Sequence, residues 1–259
     1  MDQRTGTIGD APHSALSGHA PARRTGQEAG RQVVSLSVFR FDGLASRLWA
    51  FGQMGLARRP LSRTPGIGFA KLMGTGSGLN FDPWPNFGVW AILATWPDAA
   101  TARAAMDRGV FRRFRARAAE QFTVYLAPIH STGRWSGFAP FEAARSESPP
   151  APLAVLTRAS VKPRHARAFW RKVPAINAQI GAAPAMLFRM GMGEVPWLHQ
   201  VTFSIWQSAE AMRAFAYRGD GHRTAIADAR AGDWFTEELF ARFAVISHDG
   251  TWEGRDSLA

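Results

Sequence analysis

The chain has 259 residues, enough for one large domain or two small ones in tight association. With 46% hydrophobic and 20% charged residues it is globular, and the absence of cysteine excludes disulfides, thiolate metal ligands and a cysteine nucleophile. The net charge of +11 is concentrated in residues 32–141, where thirteen basic side chains face five acidic ones; such a field suits an anionic membrane surface, a nucleic acid or simply a solvated arginine face.

Residues 1–31 hold no Phe, Trp or Tyr and few branched aliphatics. Such a segment cannot bury enough apolar surface to offset its ordering entropy, so a disordered tail is expected, with His13 and His19 as solvated tail histidines. It has no apolar core of the kind a secretory signal needs, and no run of 18 apolar residues occurs anywhere. The expected location is the cytoplasm, peripheral to a membrane.

Order is expected from Val33, where VVSLSVFRF alternates as a strand. GLASRLWAFGQM has helical spacing at Leu44, Leu48, Trp49 and Phe51, and the prolines and glycines of ARRPLSRTPGIG exclude a long helix after it. GFAKLMGTGSG reads as a short strand entering a glycine-rich loop. A nucleotide fingerprint would need a helix next, and FDPWPN follows instead. GVWAILATW is a buried strand, Asp98 the N-cap of a helix, and VFRRFRARAAEQF a helix with Phe111, Phe114 and Ala118 inward. FTVYLAPI closes the set as a strand.

Residues 142–152 are rich in proline and polar side chains and read as a linker between units at 32–141 and 153–255. After them LAVLTRASV is a strand, KPRHARAFWRKVPAIN a helix, AMLFRMGMG a strand, VPWLHQVTFSIW a strand, and a helix, a turn and a last strand follow. Two ungapped matches tie the units together. ATWPDAATARAAM aligns with SIWQSAEAMRAFA, pairing Trp96 with Trp206, and IHSTGRWSG aligns with ISHDGTWEG, pairing Trp135 with Trp252. The predicted fold class is α+β: a duplicated ferredoxin-like unit whose two sheets form a dimeric α+β barrel within one chain, offering a cavity inside the barrel or between sheet and helices.

No Ser-His-Asp or HExxH pattern occurs, which argues against an ordinary hydrolase or zinc peptidase. Asp220, Asp233, Glu237 and Glu238 are available for acid-base work, or are solvated helix-end charges. His165 reads as exposed, His199 as strand packing and His248 as part of a turn with Asp249 and Gly250. His222 shares a turn with Tyr217 and Arg218, which brings a ligand, a phenol and a cation together, and it leads the candidates. Ten tryptophans and eighteen phenylalanines fill a core, with a surplus that suits a long or flat apolar ligand.

The stretches LSVFRFDGLASRLWAFGQMGLARRPL, TPGIGFAKLMGTGSG, WAILATWPD, FRRFRARAAE, GEVPWLHQVTFSIW, and FAYR with HRTAIADARAGDWFTEELFARF resemble the spheroidene monooxygenase family, the acyclic carotenoid 2-ketolases of purple bacteria. The resemblance runs from about Val33 to Trp252. It implies a haem enzyme that takes O2 and electrons from reduced ferredoxin and places a keto group at C-2 of spheroidene, giving spheroidenone. On that reading His222 is the axial ligand, with His199 and His248 as alternatives; Arg218 pairs with a propionate or polarises bound oxygen, and Tyr217 donates a hydrogen bond. The implied partner is an acyclic carotenoid; a substrate dissolved in membrane would be reached by peripheral contact of the Arg-rich first half with an anionic membrane, and with no aromatic RNP-type motif no nucleic acid is expected. The rival readings are a metal-free oxygenase on the same fold and a non-catalytic carrier of haem or carotenoid.

Overall fold

Alternation along the strands builds a closed barrel. In β1 (Val33–Arg40), Val34, Leu36 and Val38 point to one side while Phe39 joins the layer on the other, as a pleated chain requires. α1 (Leu44–Leu56), α2 (Arg58–Ser62), β2 (Ala70–Gly76), β3 (Pro85–Trp96), α3 (Ala99–Met106), α4 (Gly109–Arg115) and β4 (Glu120–Gly133) complete the first half. The second half runs through β5 (Leu153–Val161), a 3-10 turn at Pro163–His165, α5 (Ala166–Gly181), β6 (Met186–Gly193), β7 (His199–Trp206), α6 (Ala209–Arg218) and β8 (Phe235–Gly250). This computed structural model describes residues 31–77, 84–144, 151–181, 183–218, 232–256 and 258, and gives the backbone alone at 174–181 and 216–218.

The two halves have the same strand order, β4-β1-β3-β2 and β8-β5-β7-β6, which is the ferredoxin-like order expected from the repeat. They join edge to edge and close an eight-stranded antiparallel barrel. One seam is long, with β4 and β8 paired from Phe122 opposite Gly250 to Gly133 opposite Leu239. The other is short, since β2 meets β6 only at Gly74–Gly193 and Thr75–Met192. Val34, Leu36, Phe122, Phe188, Phe203 and Phe243 lead the apolar packing inside the barrel. A second layer, with Phe39, Trp90, Trp96, Phe111 and Phe114, lies between the first-half sheet and its helices.

Four local readings are adjusted. The helix expected over VFRRFRARAAEQF ends at Arg115, and β4 already begins at Glu120. The strand expected from Val195 begins at His199, because Val195–Trp197 turns: Trp197 takes φ 67°, and the Val195 carbonyl accepts from the amides of Leu198 and His199. The strand expected from Gly88 begins at Pro85, a first position that tolerates a missing N–H. Only part of the apolar spacing of α1 faces the core: Trp49 packs on Phe114 and Phe41, whereas Leu44, Leu48 and Phe51 are more than half exposed; Ala50 and Gln53 are buried. Asp98 caps α3 as expected, accepting from the Thr101 amide at 2.7 Å. Among the described residues no helix is long and apolar enough to cross a membrane.

The repeated tryptophan turns explain the second sequence match. Trp135 is fully buried and Trp252 nearly so, each inserted among the barrel residues by a turn that follows a glycine in the left-handed region. Those glycines are tied across the seam. The Arg134 amide donates to the Glu238 carbonyl at 2.8 Å, and the Thr251 amide to the Gln121 carbonyl at 2.9 Å. A Cβ on Gly133 would land on the Glu238 carbonyl oxygen and one on Gly250 on that of Gln121, well inside van der Waals contact. With φ of 87° and 85°, neither position accepts an L side chain without strain. Gly133→Ala and Gly250→Ala should therefore each lower unfolding free energy by about 1–3 kcal/mol, read from urea melts; a change within error at both positions would mean the turns do not fix the barrel ends.

Candidate functional site

Packing of the interior leaves two regions in which unusual side chains gather: one mouth of the barrel and the outer face of the second-half sheet. At the mouth, Arg158 of β5 points inward and is 3% exposed. It bonds Glu237 of β8 and lies 3.9 Å from Glu194. Lys71 of β2 bonds Glu194 at 2.7 Å and Ser136 Oγ at 2.7 Å, while Trp135 Nε1 donates to Glu194 Oε2 at 2.7 Å. The Trp135 ring thus has Lys71 5.9 Å and Arg158 5.8 Å from its centroid.

Glu237 also accepts from the amides of Ser136 and Gly137, at 2.8 and 2.7 Å. Burial would raise its pKa, but those two donors together with Arg158 outweigh it and hold the carboxyl below its ordinary value. Glu120 does the same at the opposite mouth, accepting from the Gly254 amide at 2.8 Å and Thr251 Oγ1 at 3.0 Å. Two carboxylates facing two cations balance the Arg158 mouth, and removing one partner of a buried pair costs about 3–5 kcal/mol because it strands a charge. The arrangement is a plug, and its acids do not stand as a free catalytic pair.

His199 points into this mouth, with Nδ1 buried, without a hydrogen-bond partner and 4.0 Å from Glu194 Oε2. Burial lowers its pKa against the pull of Glu194, so the ring is neutral near pH 7. His248 faces inward near the other mouth, beside Phe122, and bonds Asp256 at 2.8 Å. Neither is a simple packing or turn residue, yet both look into the barrel. His165 stacks on Trp234, and Asp233 is held by Lys162. The leading candidate His222 lies outside the described residues, as does Asp220. The backbone of Tyr217 and Arg218 ends α6, and their side chains lie outside the described residues too.

The outer faces of the two sheets differ sharply, and the ladder registers make the comparison residue by residue. Phe39 opposite Trp90 in the first half corresponds to Ala159 opposite Gln200 in the second. Leu72 opposite Ile92 corresponds to Gly191 opposite Thr202, and Tyr125 opposite Ser35 to Arg242 opposite Val155. The five large first-half residues Phe39, Leu72, Trp90, Ile92 and Tyr125 are all buried. In their places the second half has small or polar side chains, with Ala159, Gln200, Thr202 and Arg242 only half-buried. Arg189 shares this face, and Arg242 Nε is buried without a hydrogen-bond partner.

A cleft beside the short β2–β6 seam reaches this face; Gly191 and Gln200 line it together with Thr75, Pro85, Trp170 and Trp197. His130, which sequence reasoning passed over because it falls in the first half, pairs with Arg242 across the long seam and packs edge-on to Phe240. It therefore stands on the outer side of the wall. Among the described residues no group of three or more His, Asp or Glu could hold a bare metal ion. A polar sheet face of small side chains, with Arg189 and with an Arg242 Nε that has no partner, suits instead a flat ligand that has apolar area and anionic groups.

No family model matches the chain. It is 46% identical over 230 residues to the spheroidene monooxygenase of Rhodobacter capsulatus, which covers 88% of this chain and 95% of that protein. It is 34% identical over 246 residues to the spheroidene monooxygenase of Rubrivivax gelatinosus, covering 93% and 92%. Among solved structures, an aldoxime dehydratase in complex with butyraldoxime superposes with a TM-score of 0.52 at 10% identity, covering 83% of this chain and 82% of that one. At that identity the likeness is one of fold alone.

The depressed His199 pKa has a definite consequence for stability. A histidine harder to protonate folded than unfolded contributes stability that is present above the unfolded value, about 6.5, and lost as pH falls through the folded value. Urea midpoints should fall between pH 7.5 and 5.5 in the wild type and fall less in His199→Gln. Equal slopes in the two proteins would show that His199 is not the group responsible.

Proposed function

The chain belongs to the spheroidene monooxygenase family, and from that premise we propose that it is a carotenoid monooxygenase that converts C-2 of spheroidene, or a related acyclic carotenoid, to a ketone. Each round consumes one O2, two electrons and two protons and releases one water. The first round gives the C-2 alcohol and the second a gem-diol, which loses water to leave the carbonyl. Reduced ferredoxin is the proposed electron donor.

The proposed cofactor is haem, which when bound supplies O2 activation. The observation that carries this reading is the exchange of Phe39, Leu72, Trp90, Ile92 and Tyr125 for Ala159, Gly191, Gln200, Thr202 and Arg242 on the second-half sheet. The chain's own residues then have separable tasks. Arg242 and Arg189 would hold anionic side groups by charge-assisted hydrogen bonds. Trp170 and Trp197 would wall the cleft against water and orient the polyene by apolar contact. The hydroxyls of Thr157 and Thr202, hydrogen-bonded to each other across β5 and β7, would hold a proton at the sheet face.

For the axial ligand we retain His222, with Tyr217 and Arg218 beside it in sequence. The alternatives His199 and His248 face the barrel interior, away from the lean face. His130 is the alternative added by the outer wall. Protein expressed with ample haem should show a Soret band and, with spheroidene, reduced ferredoxin and O2, should yield the 2-ketone; His222→Ala should lose the band. Turnover without a Soret band would favour the metal-free oxygenase, and a band without turnover the carrier. An unchanged band in His222→Ala would move the ligand to His130.

A further inference from the structure

The largest exposed apolar side chains do not scatter over the surface. Leu44, Leu48 and Phe51 are 74%, 61% and 53% exposed and recur at helical spacing on the outward side of α1. The Phe51 ring packs against Phe87, centroids 5.6 Å apart, and Phe87 is itself 52% exposed. Two residues before it, Pro85 opens β3 at the lip of the cleft beside the β2–β6 seam. Across that cleft stands Trp197, 51% exposed, which also lines it. The result is an apolar collar that runs from α1 to the mouth of the cleft leading to Gly191 and Gln200.

The sequence of α1 and α2 is basic. No Asp or Glu occurs between Asp42 and Asp82, while Arg47, Arg58, Arg59 and Arg63 lie in or next to α1 and α2 and are exposed. A helix that turns large apolar residues to water and sets arginines beside them has the character of an interfacial anchor, where burial of apolar area and attraction to anionic headgroups add together. A water-soluble protein partner would answer the apolar stripe but does not by itself call for the arginines set beside it.

We propose that the α1 face and the collar at the cleft dock on an anionic lipid bilayer, so that an apolar substrate passes from the acyl region into the cleft without crossing water. The docking itself rests on the surface alone; only the cargo rests on the proposed function. The two ideas fail separately, because lipid binding is measured without turnover.

The experiment is cosedimentation of the full chain with vesicles of equal phosphatidylglycerol and phosphatidylcholine, compared with phosphatidylcholine alone, at low and high salt. Wild type should bind the anionic vesicles at low salt and lose most of that binding at high salt. The Leu48→Asp/Phe51→Asp double variant and the Arg58→Glu/Arg59→Glu double variant should each bind at least about tenfold more weakly. Carotenoid turnover in detergent micelles should be unchanged in both. No wild-type binding at low salt, or equal binding by the variants, would overturn the proposal. So would conversion of a wild-type dimer to a monomer by Leu48→Asp/Phe51→Asp, because the face would then be a contact between copies. Absence of micelle turnover alongside normal vesicle binding would count against the proposed function and leave the docking standing.

Discussion

Closure of eight strands into one hydrogen-bonded ring is the constraint from which the rest of this molecule follows. A closed ladder has no free edge, so every strand is satisfied by a neighbour and the interior must be filled with side chains. Here it is filled to both ends, with Trp135 and Trp252 inserted near the mouths and Glu237 and Glu120 each gripping the turn of the opposite half. The barrel interior is thereby taken up by the chain's own side chains. The short β2–β6 seam, with the cleft beside it, is the less extensively paired of the two joins between the halves.

Duplication then allowed the two outer faces to specialise. The first-half sheet is sealed by aromatic packing with α1–α4, including Phe39, Phe41 and Trp49 around Phe114. The second half repeats the strand registers but replaces the large residues with Ala159, Gly191, Gln200, Thr202 and Arg242. Giving up five large buried side chains forfeits several kcal/mol of packing, a loss that makes physical sense where another molecule supplies the missing contacts. The first copy's outer face is thus closed by its own aromatic side chains and carries the exposed apolar helix, and the second copy's face carries smaller and more polar residues.

Much of the fold was legible in the sequence because its signals are local. β1, β5 and β6 follow from alternation, α3 from its Asp98 cap, and the duplication from the paired tryptophans and glycines of two short stretches. What the sequence did not disclose depends on pairing between distant strands. Arg158 carries no signal of its own within LAVLTRASV, and only the β5–β8 and β5–β7 registers turn it inward against Glu237. His199 and His248 looked like packing and turn residues for the same reason. The contrast between the two outer faces exists only once the halves are placed in register, and the outward aspect of α1 reflects which of its two faces meets β3. The candidate turn at 217–222 rests on residue chemistry alone, and its side chains lie outside the described residues.

On the function proposed above, the second-half sheet holds its ligand in the space that the first half fills with its own side chains. The most direct measurement restores that filling. Gly191→Leu with Thr202→Ile gives the second half the residues that the first has at Leu72 and Ile92. Titration of this variant and of wild type with haemin and with spheroidene, followed by tryptophan fluorescence and the ligand absorption bands, reads the face itself. The variant should keep its circular dichroism and lose uptake of at least one of the two ligands; full uptake of both at wild-type affinity would contradict the account.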